Sequence, residues 1–289
     1  MPTSATVITN TGSPRSKRWR MTKALSRGMN SPVENRAGNP LISIHLTASR
    51  SRSLLPRQRG FLINKFADIR ARAEQRKGGA AKLKALLPKL ATSKQLIELG
   101  DDRYLAMMTK SINQAGFSWK VIENKWPSFE EAFLGFDTRK LSYLSPEQWE
   151  AFTSDRRVVR NWQKIKALQE NVFFVQDESR RHGGFGKFIA QWPTEDQLGL
   201  MLYLKKNGSR LGGQSALWFL RRVGKDCFIP ARDVVVLLKS IGLDIADNPT
   251  TQRDLKRIQA QFNEWHEETG LPYAHLSRIA ACSVGDNYL

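Results

Sequence analysis

An aspartate at the head of an apolar run is the residue best placed for chemistry. Asp233 follows a loop that contains Pro230 and precedes the run VVVLL at residues 234–238. An aspartate in this position can serve as a helix N-cap, which stabilises a helix by about 1 kcal/mol. A carboxylate fixed there is also suited to stabilise positive charge that develops on a substrate. Both roles stay open, because a cap would hold the carboxylate in place.

A glycine-rich turn lies shortly before Asp233, between two helical patterns. It has the sequence KKNGSRLGGQSAL over residues 205–217. Such a turn exposes backbone N–H groups at a helix N-terminus, which bind a phosphate without distinguishing bases. Lys205, Lys206 and Arg210 add positive charge beside it. The candidate binding residues are Gly208, Arg210, Leu211, Gly212, Gly213, Gln214 and Ser215.

Two tryptophans and a glycine fall in the stretch INQAGFSWKVIENKW, residues 112–126. Apolar spacing of three and four residues predicts one amphipathic helix over 101–126, closed by Pro127. Gly116 would cost that helix about 1 kcal/mol relative to alanine. This loss is understandable if a flat base approaches the backbone or if the chain must redirect Trp119. Trp119 lies on the apolar stripe, so core packing and a stacking role both remain open.

The same periodicity continues along the chain, and no alternating strand pattern of useful length is present. Glycine, proline, serine and threonine mark most of the boundaries. Helices are predicted near residues 61–77, 82–87, 101–126, 128–134, 146–153, 156–180, 184–190, 194–206, 213–223, 233–241, 251–268 and 273–282. We therefore predict an all-α fold with short connections.

The composition points to a polyanionic partner. Among 289 residues, 46 lysines and arginines stand against 27 acidic residues, a net charge of +19. Nucleic acid is the first candidate for such a partner, and an anionic membrane surface is the second. Two cysteines, Cys227 and Cys282, are too few for a disulfide framework or a four-cysteine zinc site.

Residues 1–60 differ from the rest of the chain. They hold eleven lysines and arginines and one acidic residue, Glu34, with no sustained apolar period. This composition predicts a disordered basic tail. An organelle-targeting segment, a DNA-tethering arm and an over-long gene start are all compatible with it, and we favour the last two. Residues 61–289 are predicted to form one helical domain.

The turn and the aspartate together resemble the helix-hairpin-helix DNA glycosylase superfamily, whose hairpin has the pattern L-P-G-V-G-x-x-T-A. The positions that match V, the second G, T and A are Leu211, Gly212, Ser215 and Ala216. Arg210 replaces the first glycine. Members that also cleave the DNA strand use a hairpin lysine, and Gln214 stands there. Glutamine cannot form a Schiff base. The resemblance therefore implies a hydrolase without lyase activity and Asp233 as its catalytic carboxylate.

A second resemblance covers residues 101–238. The segments QAGFSW (114–119), FEEAF (129–133), FD (136–137), VVRN (158–161) and LKK (204–206) are similar in order and spacing to the DNA-3-methyladenine glycosylase I family. This resemblance implies a helical bundle in two lobes with a cleft between them. It also implies that Trp119 stacks on an extruded base and that Arg160 and Asn161 contact the nucleotide. The implied base pocket comprises Trp119, Phe117, Ser111 and Gln114.

Two features depart from that family. Ser111 stands where the family has a pocket glutamate, which removes an acceptor used to recognise the base. The cysteine and histidine ligands of the family's structural zinc also have no counterpart here. We therefore expect no metal and no cofactor.

These observations lead to one main expectation and two alternatives. The main one is a monomeric, cytoplasmic, nucleoid-associated bacterial enzyme of base excision repair, which extrudes 3-methyladenine-like purines from duplex DNA and hydrolyses their N-glycosidic bonds. The first alternative is a non-catalytic protein that binds lesions or bent DNA on a glycosylase scaffold. The second is a general nucleoid or RNA-binding helical protein.

Overall fold

Helices form all the regular secondary structure of residues 65–285, the part of the chain that this computed structural model describes. The α-helices are α1 (Phe66–Arg76), α2 (Ala80–Ala85), α3 (Ser93–Glu98), α4 (Asp101–Gln114), α5 (Trp119–Ala132), α6 (Thr138–Ser142), α7 (Pro146–Ala151), α8 (Trp162–His182), α9 (Phe185–Gln191), α10 (Gln197–Asn207), α11 (Gln214–Arg222), α12 (Arg232–Ser240), α13 (Gln252–Thr269) and α14 (Tyr273–Cys282). Short 3₁₀ helices occupy Leu134–Phe136 and Thr194–Asp196. The all-α prediction is confirmed. The basic tail predicted for residues 1–60 lies outside the described residues.

Local sequence signals explain several helix boundaries. Ser145 begins α7 with a capping box, in which its hydroxyl accepts from the Gln148 N–H and the Gln148 side chain bonds back to the Ser145 backbone. Asn161 caps α8, because its Oδ1 accepts from the Lys164 N–H at 3.2 Å. The helix predicted over 156–180 therefore begins several residues later than expected.

The segment that contains the two tryptophans is interrupted. The prediction of a single helix over 101–126 is wrong, because the chain forms α4 and α5 with a break at residues 115–118. Gly116 lies in this break with φ of 71°, a left-handed conformation that glycine adopts at little cost. Pro127 does not end a helix, since it lies inside α5. The break makes Trp119 the first residue of α5.

Two hydrophobic clusters divide the described chain into two lobes. The larger cluster contains Tyr104 and Phe185 and is built by α3 to α11. The smaller cluster joins α1 and α2 to α12, α13 and α14. Phe66 of α1 packs on Trp265 of α13 with ring centroids 5.1 Å apart. Both ends of the described chain therefore share one lobe.

A third hydrophobic cluster connects the two lobes. It consists of Met201, Leu217 and Ile229, with Trp218 and Ala231 packed against it. These residues come from α10, α11 and the connection that leads to α12. The cluster therefore fixes the start of α12 relative to α11.

Candidate nucleic-acid interface and base pocket

The turn between α10 and α11 is a tight hairpin held by Asn171 of α8. The Asn171 Nδ2 donates to the Ser209 carbonyl at 3.0 Å, and its Oδ1 accepts from the Ser209 N–H at 2.7 Å. Leu211 is fully buried in the larger lobe. A Cβ on Gly208 would lie 2.6 Å from a Leu211 methyl group, so this position favours glycine. The hairpin is thus fixed from its inner side.

The outer side of the hairpin presents backbone N–H groups. Arg210 adopts φ of 56°, which costs a non-glycine residue roughly 1–2 kcal/mol, and its guanidinium donates to Gln163 Oε1 at 2.9 Å. Gly213 also has φ of 56° and precedes α11 without a side-chain cap. The first N–H groups of α11, which include those of Gln214 and Ser215, have no intrahelical acceptor. They are suited to bind a phosphate.

A cavity of about 320 Å³ joins the hairpin to the break between α4 and α5. Its walls are Ile112, Ala115, Lys164, Arg210, Gly212 and Ser215. The Lys164 Nζ donates to the carbonyls of Asn113 at 2.9 Å and Ala115 at 3.1 Å. Burial lowers the pKa of Lys164, and the charge of Arg210 lowers it further. The fold thus places the hairpin beside the QAGFSW segment.

Arg160, Asn161 and Phe117 lie together along a groove of about 500 Å³. The other residues that line it are Val121, Lys125, Arg156, Val158 and Val159. Phe117 is 47% exposed, and the Lys164 Nζ lies 5.1 Å from its ring centroid. Phe117, predicted for the base pocket, therefore shares a basic surface with the predicted DNA-binding residues.

Trp119 belongs to a separate cluster, which we call the indole cluster. Its members are Lys110 and Gln114 of α4, Trp119 and Glu123 of α5, and Trp218 and Arg222 of α11. Each helix contributes two residues four positions apart, a spacing that puts both on one helix face. The rings of Trp119 and Trp218 meet at 87° with centroids 4.8 Å apart. The Arg222 guanidinium lies 5.0 Å from the Trp119 ring centroid, in a cation–π contact.

Glu123 makes most of the polar contacts in the indole cluster. Its Oε2 lies 2.6 Å from Lys110 Nζ, and its Oε1 accepts from Gln114 Nε2 at 3.0 Å. Arg222 donates to Gln114 Oε1 and lies 4.0 Å from Glu123 Oε1. Burial alone would raise the pKa of Glu123, but Lys110, Gln114 and Arg222 together hold that pKa below its ordinary value. The carboxylate is therefore ionised at neutral pH.

Exposure within the indole cluster is uneven. The side chains of Lys110 and Arg222 are 12% and 18% exposed, whereas that of Glu123 is 48% exposed. Trp119 is 43% exposed. The two cations are thus recessed, and the indole of Trp119 and the carboxylate of Glu123 form the solvent-facing part.

The other predicted pocket residues are buried in α4. Ser111 is 3% exposed, and its Oγ has no hydrogen-bond partner in the described part of the chain. Gln114 is equally buried, but its amide is engaged by Glu123 and Arg222. The structure thus brings Gln114 and Trp119 together and leaves Ser111 outside their contacts.

The sequence prediction missed four members of the indole cluster, namely Lys110, Glu123, Trp218 and Arg222. The four-residue spacing from Trp119 to Glu123 was nevertheless visible in the sequence.

Asp233 is the second residue of α12 and is half-buried. Ala231 occupies the N-cap position, so an N-cap role for Asp233 is wrong. An aspartate in the first turn is stabilised by the partial positive charge of the helix N-terminus. A Cβ on Gly285 would lie 2.8 Å from Asp233 Oδ1, so Gly285, the last described residue, lies beside the carboxylate. Ala231 and Trp218 pack on the same hydrophobic cluster, which places the start of α12 at the junction of the lobes.

Residues 65–285 contain neither a metal-binding cluster nor a membrane-spanning helix. No group of three or more histidine, cysteine, aspartate and glutamate side chains there is arranged to hold a metal ion. No helix in the same range is long and apolar enough to cross a membrane.

Both cysteines are buried thiols, and burial raises the pKa of Cys227 to about 11. Cys227 is therefore protonated at neutral pH.

The fold and these surfaces define a helical protein with a glycine-rich hairpin near an exposed tryptophan. Residues 96–201, from within α3 to within α10, match the family model described as methyladenine glycosylase. This range includes four members of the indole cluster and the QAGFSW segment. This part of the chain is therefore similar to methyladenine glycosylases.

Solved structures of DNA glycosylases show more distant likenesses. For 3-methyladenine DNA glycosylase I from Staphylococcus aureus, the TM-score is 0.40 at 18% identity, over 48% of this chain and 81% of that one. For 8-oxoguanine DNA glycosylase from Methanocaldococcus jannaschii, the TM-score is 0.47 at 16% identity, over 73% of this chain and 91% of that one. A search of curated proteins gives no match. The similarity to methyladenine glycosylases therefore rests on the sequence match over residues 96–201.

Proposed function

We propose that this protein is a monofunctional DNA glycosylase of base excision repair, which releases N-alkylated purines such as 3-methyladenine from duplex DNA. The main support for this proposal is the match of residues 96–201 to the methyladenine glycosylase family model. An enzyme that acts on a base within a duplex must move it out of the stack and hold it against aromatic or apolar side chains. The half-exposed indole of Trp119, which begins α5 inside the matched range, is suited to this task.

Binding of the DNA backbone is assigned to the hairpin and to the groove beside it. The N-terminus of α11 follows Gly213 and offers N–H donors, while Arg210 and Arg160 add positive charge. The net charge of +19 favours association with DNA over a wide surface. These contacts position the duplex without distinguishing its sequence.

Asp233 is the proposed catalytic carboxylate. Hydrolysis breaks the bond between the sugar C1′ and the base nitrogen, and the electron pair leaves with the base. Positive charge develops on the sugar until water adds its oxygen to C1′ and loses a proton. A carboxylate about 4 Å from that charge, at an effective dielectric near 20, contributes roughly 4 kcal/mol, or about a thousandfold in rate. This contribution suits an alkylated purine, which is already a good leaving group.

Strand cleavage by a lyase step is not part of the proposal. That reaction needs a nucleophilic amine that attacks the sugar and forms a Schiff base. Gln214, at the first position of α11, has an amide that cannot do so. We therefore expect the product to be an intact strand with an abasic site.

The proposal is tested by release of free base from alkylated duplex under single-turnover conditions. Asp233→Asn removes the charge with little change in shape, and we expect a loss of about a thousandfold in rate with DNA binding nearly unchanged. Asp244→Asn is the matched control, because Asp244 is an exposed aspartate paired with Arg253 and Arg257 on the smaller lobe. Melting temperatures of both variants verify folding.

The possible outcomes separate the candidate functions. Full activity in Asp233→Asn would rule out the assigned carboxylate. If the wild-type protein forms no abasic sites but binds alkylated duplex selectively, it is a non-catalytic lesion-binding protein. Binding that is indifferent to lesions would instead favour a general nucleoid or RNA-binding protein.

A further inference from the structure

We propose that Glu123 recognises the extruded base and that it selects purines with an amino group on the contacted edge over purines with a carbonyl oxygen there. This inference rests on the proposed function, because it specifies which purines the proposed pocket accepts. It assigns to α5 a recognition role for which the resembled family uses a glutamate at the position of Ser111 on α4.

The geometry of α5 brings Glu123 close to the proposed stacking residue. Trp119 and Glu123 are one helical turn apart on the same face, so their Cβ atoms are about 5–6 Å apart. Both are close to half exposed, whereas the neighbouring cations Lys110 and Arg222 are recessed. A base that stacks on the Trp119 indole from solvent therefore has its edge beside the Glu123 carboxylate.

The Glu123 carboxylate also has hydrogen-bond acceptor capacity that its neighbours do not use. A carboxylate offers about four lone-pair sites. Lys110 and Gln114 occupy one site on each oxygen, and Arg222 at 4.0 Å is beyond hydrogen-bond distance. Lone pairs therefore remain on the exposed part of the carboxylate for a ligand. Ser111 cannot take this role, because its hydroxyl is short and buried within α4.

Charge gives the site its selectivity. An ionised carboxylate accepts hydrogen bonds and donates none, so it favours an amino group and repels a carbonyl oxygen. Lys110 and Arg222 maintain the ionised state, and Gln114 fixes the orientation of the carboxylate. An alkylated purine nucleotide that carries positive charge gains further attraction. At position 6, methylated adenine presents an amino donor to this carboxylate, whereas a 6-oxopurine such as hypoxanthine presents an acceptor oxygen.

Equilibrium binding of free bases to the full chain tests the inference without any bond cleavage. We expect wild-type tryptophan fluorescence to report 3-methyladenine binding at least about tenfold tighter than hypoxanthine binding. Glu123→Gln should weaken 3-methyladenine binding about 10- to 100-fold, the effect of a hydrogen bond to a charged group. It should not weaken hypoxanthine binding, because the new amide can donate to the carbonyl oxygen. Glu131→Gln is the control, since Glu131 is an exposed glutamate of α5 paired with Arg157.

Each result bears on the inference separately from the proposed function. Unchanged 3-methyladenine affinity in Glu123→Gln, or equal losses for both bases, would overturn it. So would a wild-type protein that fails to distinguish the two bases. If Glu123→Gln lowers the melting temperature, Glu123→Asp keeps the charge, and the preference for 3-methyladenine should persist in that variant. A protein that selects 3-methyladenine by Glu123 but releases no base from DNA would refute only the proposed glycosylase activity.

Discussion

Trp119, the proposed stacking residue, has an indole whose orientation is fixed by two neighbours. Trp218 contacts it edge-on, and Arg222 lies against its ring. Because these contacts involve only part of the ring, nearly half of the side chain faces solvent. The energy available from stacking one base on such a surface is about 1–3 kcal/mol.

Replacement of Trp119 by alanine should therefore reduce base release from alkylated duplex by about 10- to 100-fold. Trp119→Phe should retain most of the activity, because a smaller aromatic ring still stacks. Single-turnover rates at saturating protein provide the measurement. If Trp119→Ala keeps the wild-type rate while it melts at the wild-type temperature, Trp119 is a surface tryptophan without a role in recognition.

Only part of the indole cluster could be predicted from the sequence. Trp119 and Glu123 are four residues apart, so their shared helix face was predictable once α5 was known. Trp218 and Arg222 lie about a hundred positions further along the chain. Packing of α11 against α4 brings them to the same cluster, and a single sequence holds no signal for that contact.

The hairpin between α10 and α11 contains two adjacent glycines with different backbone requirements. Gly213 has φ of 56° and ψ of −132°, a region almost restricted to glycine. A Cβ there would meet no other atom, so substitution introduces backbone strain alone. Gly212 does not have positive φ, and a Cβ there would lie 3.5 Å from Lys205 Cγ, an ordinary contact.

Gly213→Ala should consequently destabilise the protein by about 1–3 kcal/mol and weaken its binding to undamaged duplex. Gly212→Ala, the matched control, should melt close to the wild-type temperature. Thermal unfolding and a duplex-binding titration of both variants provide the comparison. Equal melting temperatures for Gly213→Ala and Gly212→Ala would show that the hairpin backbone tolerates a Cβ at either position.

The sequence predicted most of the helices, but it did not predict the break at Gly116. The apolar stripe continues through residues 112–122 in helical phase, so periodicity alone favours one helix. The left-handed turn at Gly116 appears only in the structure. α3 was also missed, because six residues with one buried side chain, Leu96, give too short a pattern. Its capping box, with Thr92 and Gln95, was nevertheless present in the sequence.

At the largest scale, residues 65–285 form two lobes whose composition depends on chain topology. α1 follows the N-terminal segment, yet it packs with α13 and α14 in the smaller lobe. The N–H of Phe66 also donates to the Glu268 carboxylate at 3.1 Å. Contacts between residues two hundred positions apart leave no periodic trace in the sequence. The resemblance implied two lobes, but the helices that share the smaller lobe could be identified only from the structure.

With a net charge of +19, the proposed DNA binding should depend on salt concentration. For duplex DNA, the logarithm of the binding constant falls with the logarithm of salt concentration by about 0.9 for each phosphate neutralised. If Arg210 contacts a phosphate beside the hairpin, Arg210→Gln should reduce this slope by about 1. Arg253→Gln, which removes an exposed charge paired with Asp244 on the smaller lobe, should leave the slope unchanged.

Titrations of undamaged duplex over a range of salt concentrations distinguish a local contact from general attraction. Both variants lose one positive charge, so a uniform electrostatic field would reduce affinity by similar amounts in the two. A lower slope confined to Arg210→Gln would place the phosphate at the hairpin. Identical slopes in both variants would contradict the hairpin assignment, because binding would then depend on total charge and not on the turn between α10 and α11.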